Sequence, residues 1–173
     1  TMWIISCSAL NRLFSAIIMV YMLKMKGVSP ALAYGQFGSG VLNTLLYFMP
    51  AQMWTATAYR PERPIDITQF GNDLAWLTFD MVNSTTIVMV AALGAAVLWD
   101  KSESPVFPRW FGYFNLWIAL LVVPAGFITF FKSGVFSWQG VIGFFLGVVA
   151  LFVWYIATFV VLRSAILFNR STA

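Results

Sequence analysis

Residues 87–98 and 141–153 run without a single polar side chain, and that continuity limits the fold more than any other feature of the chain. A strand of an outer-membrane barrel would alternate apolar and polar residues over about ten positions, so these runs read as helices. The rest of the composition agrees. Only 9% of residues are charged, 61% are hydrophobic and the mean hydropathy is +0.84, a balance that no water-soluble domain could keep dispersed. The expected fold class is all-α: a polytopic transmembrane helical bundle forming a single domain over residues 1–173.

Crossing the hydrocarbon core takes roughly 20 mainly apolar residues, which predicts five spans at about 2–23, 30–54, 74–99, 110–131 and 138–162. Trp54, Trp99, Trp110 and Trp138 fall at the predicted ends, where an indole rests its ring in lipid and its N–H among headgroups. Lys24, Lys26, Lys101, Arg109, Arg163 and Arg170 gather on one side, against Arg60, Arg63 and Lys132 on the other. Cytoplasmic loops carry the cationic excess, so the first side and the C-terminus are expected in the cytoplasm. Thr1 then begins outside with no polar leader, and a further N-terminal helix is expected before it.

The net charge of +4 and the pI near 9.5 do not indicate nucleic acid, because the cations lie scattered at loop ends. Cys7 is the single cysteine, which excludes an internal disulfide. Histidine is absent from the sequence. That removes histidine-ligated haem and the usual imidazole-ligated metal sites, and with them Ser-His-Asp and Cys-His catalysis. No cofactor or metal is expected.

Between the second and third spans, YRPERPID (residues 59–66) is held extended by Pro61 and Pro64, and Asp66 with Gln69 has capping-box spacing. DKSESPVFPR (100–109) reads as a stiff connector, and residues 131–140 as an aromatic segment lying at the interface. Residues 60–76 (RPERPIDITQFGNDLAW) and 105–140 resemble an uncharacterised family of bacterial six-helix integral membrane proteins, over roughly the last two-thirds of the chain. The resemblance implies a six-helix fold in the bacterial inner (plasma) membrane and carries no activity.

Function is then sought in polar residues within spans, since an ionisable side chain at the bilayer centre costs at least ~2.5–3.5 kcal/mol. Arg12 stands about 18 Å from Lys24 at 1.5 Å per residue, close to the midplane. Asp80 lies on the order of 10 Å higher, within reach of an arginine, so the two are expected to pair. Asp73, Asp80 and Ser84 share one helical face, with Asn83 beside them. Arg12, Asn43, Asp80 and Asn83 form either a ligand pocket or an interhelical clasp whose members satisfy one another at ~0.6 kcal/mol each.

The glycines favour packing. Gly35, Gly38 and Gly40 lie inside a span, so they read as close helix contact and not as a phosphate loop; Gly140, Gly143 and Gly147, and Gly94 among its alanines, make smooth stripes. Pro50 and Pro124 should kink their helices without functional weight. The 17 Phe and 8 Met suit lipid contact, and would also accept a sterol, quinone or carotenoid. Three functions fit: a non-catalytic subunit of a membrane assembly, with lipids and other membrane subunits as partners; a small carrier of a hydrophobic or anionic molecule using Arg12 and Asp80; or a lipid-modifying or cyclising enzyme using Asp73 and Asp80 as acid and base. The subunit reading leads.

Overall fold

The computed structural model describes the backbone of residues 2–80 and 83–171 and the side chains of residues 9–80 and 83–167. Cys7 and Arg170 therefore have side chains outside the described residues, and Thr1 lies outside them altogether. All regular structure among the described residues is helical: α1 (Met2–Met22), α2 (Pro30–Asn43), α3 (Leu45–Ala58), α4 (Ile65–Asp80), α5 (Ser84–Trp99), α6 (Arg109–Val122) and α7 (Leu146–Ser171). A 3₁₀ segment, Val123–Thr129, follows α6, and a π turn, Val141–Phe145, opens α7.

The helical-bundle expectation holds. Among the described residues three stretches are long and apolar enough to cross a membrane, Ile65–Trp99, Arg109–Thr129 and Val141–Leu167, with a shorter apolar helix at Ala9–Met22, against the five spans expected. These lengths are compatible with a membrane protein. The predicted second span is two helices of 14 residues each, joined through Thr44. Pro50 lies inside α3, where its ring has no N–H to offer and leaves the Leu46 carbonyl without its i+4 donor. The predicted third span starts inside α4, which begins at Ile65. Asp66 accordingly sits in the first helical turn, where its carboxylate faces the positive end of the helix dipole, and not at a capping-box position.

Burial in α1 falls on Asn11, Phe14, Ser15, Ile18 and Met22, the i, i+3, i+4, i+7, i+11 spacing of one helical face. α5 is the central helix, with Thr86, Met89, Val90, Leu93, Ala96 and Val97 all buried between α2 and α6. α3 and α4 pair with each other as a hairpin that leans on α1 and on the 3₁₀ segment.

At the basic end, Asp100 closes the bundle. Its Oδ1 accepts from the Lys26 N–H (3.3 Å), the Ser102 N–H (2.9 Å) and the Ser102 hydroxyl (2.6 Å), while the Lys101 N–H donates to the Lys26 carbonyl at 2.9 Å. Gly27 packs on the Lys101 side chain with φ +77, a left-handed conformation that disfavours any side chain. The connector expected at 100–109 is anchored by Phe107, which is buried against Tyr21 and Phe111.

Glycine packing differs from the expected stripes. A Cβ on Gly94 would lie 2.9 Å from the Gly112 carbonyl of α6 and 3.0 Å from Leu116, so Gly94 does allow close helix approach. Gly140 and Gly143 pack against the turn at residues 134–137, because the π turn folds that loop back on itself, and Gly147 touches nothing across the bundle. Gly40 meets Ser15, whereas Gly35 and Gly38 are open. Gly94→Val should therefore lower stability by about 1–3 kcal/mol through overpacking. Gly38→Ala should raise it by up to about 1 kcal/mol through helix propensity. Thermal unfolding in detergent measures both.

Candidate functional site

Polar side chains thread the bundle at the level where its helices are interrupted. On α1, Asn11 Nδ2 donates to the Gly40 carbonyl of α2 at 2.8 Å, and its Oδ1 accepts from the Tyr155 hydroxyl of α7 at 3.3 Å. Tyr155 in turn meets the Tyr47 hydroxyl of α3 at 3.1 Å. Asn43 ends α2 with Oδ1 accepting from Thr86 (2.8 Å) and Thr85 (3.2 Å) of α5. Nearer the basic end, the buried Trp154 indole donates to Asn115 Oδ1 at 2.8 Å.

Asn83 precedes α5 and donates through Nδ2 to the carbonyls of Val122 (2.9 Å) and Val123 (3.3 Å). Those carbonyls stand where α6 gives way to the 3₁₀ segment, just before Pro124, so the Asn83 amide ties the start of α5 to that junction. Pro124 thus has a polar neighbour after all, which gives its break a role beyond a kink.

Asp80, the last residue of α4, is 8% exposed, and its Oδ2 has no hydrogen-bond partner among the described residues. It lines a cavity of about 60 Å³ with Asn83, Thr86, Leu46, Tyr47, Phe79, Val122, Ala125 and Phe144. Gln36, Thr44 and Thr158 are further buried groups whose side-chain polar atoms find no partner among the described residues. A second, larger cavity of about 360 Å³ lies farther along α4, between Asp73, Trp76, Lys132 and Trp138. Its wall is aromatic: the Trp76 ring sits 5.0 Å from both Trp54 and Trp138 and 5.3 Å from Phe144.

The expected cluster is therefore brought together in part. Asp80 and Asn83 line one cavity, and Asn43 joins them indirectly by holding Thr86. Arg12 does not join. It is exposed on the outer side of α1 and makes no ion pair with Asp80. The rotation about the helix axis decides: Asn11 occupies the inward face, which turns Arg12 about 100° away. Asp73 is exposed and belongs to the larger cavity, so Asp73 and Asp80 do not face a common site. Trp54 sits within α3 against Trp76 instead of at a span end, while Trp99 and Trp110 remain exposed at helix ends.

Asn115, Gln36, Thr86 and Tyr155 were not singled out from sequence. Asn115 and Gln36 carry the same signal that exposed Asn43, a lone amide in an apolar run. Tyr155 and Thr86 carry none, because aromatic and β-branched residues are ordinary there.

No protein-family model matches the chain, and neither curated proteins nor solved structures yield a significant match. Trp154→Phe should cost about 0.6–1.7 kcal/mol, the range of interhelical hydrogen bonds in membrane proteins, read as a lowered unfolding midpoint in detergent.

Proposed function

We propose that this chain is a non-catalytic integral membrane subunit that docks on partner helices through the outer face of α1. The observation that carries the reading is Arg12. Its neighbour Asn11 bonds to Tyr155, which lies near the middle of the apolar stretch Val141–Leu167, so the two share that depth. In a membrane that level is the hydrocarbon midplane, and Arg12 faces outward there. An arginine so placed costs at least ~2.5–3.5 kcal/mol unless protein or water covers it. A carboxylate or a row of carbonyls on a partner helix offsets that cost, and the open Gly35 and Gly38 on α2 leave room for a second close contact.

In this reading the chain resides in the bacterial inner membrane, with the end that holds Lys24, Lys26 and Lys101 in the cytoplasm. A bound lipid, quinone or carotenoid is secondary to the partners. The larger cavity by Trp76 reaches only the lower end of the size range of ligand pockets, and the one at Asp80 is far below it. The carrier reading keeps the support of Asp80 but loses Arg12 as its anion contact. Asp73 and Asp80, the pair the enzyme reading needs, line different cavities.

Extraction in mild detergent followed by size separation and mass spectrometry tests the proposal. The native chain should co-migrate with a stoichiometric membrane protein. Arg12→Glu should release that protein while the unfolding midpoint of the chain changes by less than about 0.5 kcal/mol, as expected at an exposed site. A chain that migrates without a partner, or an Arg12→Glu variant that keeps one, overturns the reading.

A further inference from the structure

We propose that the cavity at Asp80 binds one small monovalent metal cation, of the size and charge of sodium, independently of the subunit reading. Four observations converge. The first is the carboxylate: Asp80 is buried, lines the cavity, and leaves Oδ2 without a partner among the described residues. No lysine or arginine lines the cavity, so a charge on this group must be balanced by something that enters. A buried carboxyl takes up a proton, pairs with a cation or binds a metal, because an unpaired buried charge costs far more than a lost hydrogen bond.

The second is the donor set, which is all oxygen. Thr86 spends its hydroxyl proton on Asn43, at 2.8 Å, which turns the remaining lone pairs of that oxygen into its free face. Asn83 is oriented by chemistry: the Val122 and Val123 carbonyls can only accept, so Nδ2 faces them and Oδ1 is the end left over. Leu46, another lining residue, has a carbonyl deprived of its i+4 donor by Pro50. Carboxylate, amide, hydroxyl and carbonyl oxygens are the ligands of hard cations.

Charge and size then select the ion. One carboxylate neutralises one monovalent cation, whereas divalent sites gather several, and among the described residues no group of three His, Cys, Asp or Glu could hold a metal. The cavity, about 60 Å³, lies far below the size range of small-molecule pockets, which suits a small ion better than an organic ligand.

The fourth is the backbone. Asn83 just before α5, Val122 at the end of α6 and Phe144 of the π turn Val141–Phe145 all line this one cavity. Interrupted helices whose unwound carbonyls and half-helix ends surround a site are the way membrane transporters coordinate sodium.

The test uses the full chain in mild detergent, together with whatever co-purifies, at constant ionic strength with sodium exchanged for choline. Sodium should raise the unfolding midpoint in a saturable manner, and radioactive sodium should bind at about one per chain. Asp80→Asn should remove both responses, Thr86→Val should weaken binding at least about tenfold, and Asp73→Asn, in the other cavity, should change neither. Thr86→Val keeps the test open if Asp80→Asn does not fold. A midpoint equal in sodium and choline overturns the proposal. So does a sodium response that survives both site variants, or one that follows pH alone, which would make the group a proton site.

Discussion

Inside an apolar interior a polar side chain finds its partners on neighbouring helices, and the arrangement of this bundle follows from where its amides find theirs. Asn83 donates to two carbonyls at the end of α6, and its position just before α5 ties the central helix to that end. Asn43 does the corresponding work at the end of α2 by taking two threonine hydroxyls from the first turn of α5. Both asparagines therefore act on the start of one helix. α5 is held at the correct height by amides, and its apolar length is then buried between α2 and α6.

Close packing supports this scheme only where a side chain would obstruct it. Gly94 and Gly112 let α5 and α6 approach within contact of each other's backbone, and Gly40 does the same for α2 against Ser15 of α1. The approach at Gly40 also brings its carbonyl within reach of Asn11, so one missing Cβ serves both packing and hydrogen bonding. At the other end, Asp100 uses one carboxylate oxygen to hold two chain segments together, and Phe107 seals the space beneath.

The cost of this economy is a group of buried polar atoms that remain unmatched among the described residues, on Gln36, Thr44, Asp80 and Thr158. Most buried polar groups in folded proteins find partners, so each of these exceptions marks a place where water, an ion or a partner is to be sought. The charged pair expected from helix heights does not form. Arg12 turns outward and Asp80 inward, which divides one anticipated site into two separate questions: what covers the arginine, and what balances the carboxylate.

From the sequence alone, the all-helical class, the apolar α6 and α7 stretches, the proline breaks and the residues worth watching were legible, because hydropathy and backbone chemistry act locally. Asp80, Asn83 and Asn43 were identifiable for the same reason: a polar group in an apolar run is costly wherever the run packs. The tertiary structure decided how the apolar stretches divide into helices, because only the folded backbone shows α2 and α3 as separate elements. It also decided which way each polar side chain turns. A single residue step rotates a side chain by about 100°, so choosing Asn11 as the inward group over Arg12 depends on what α2 and α7 present to α1, and that information is not local to α1.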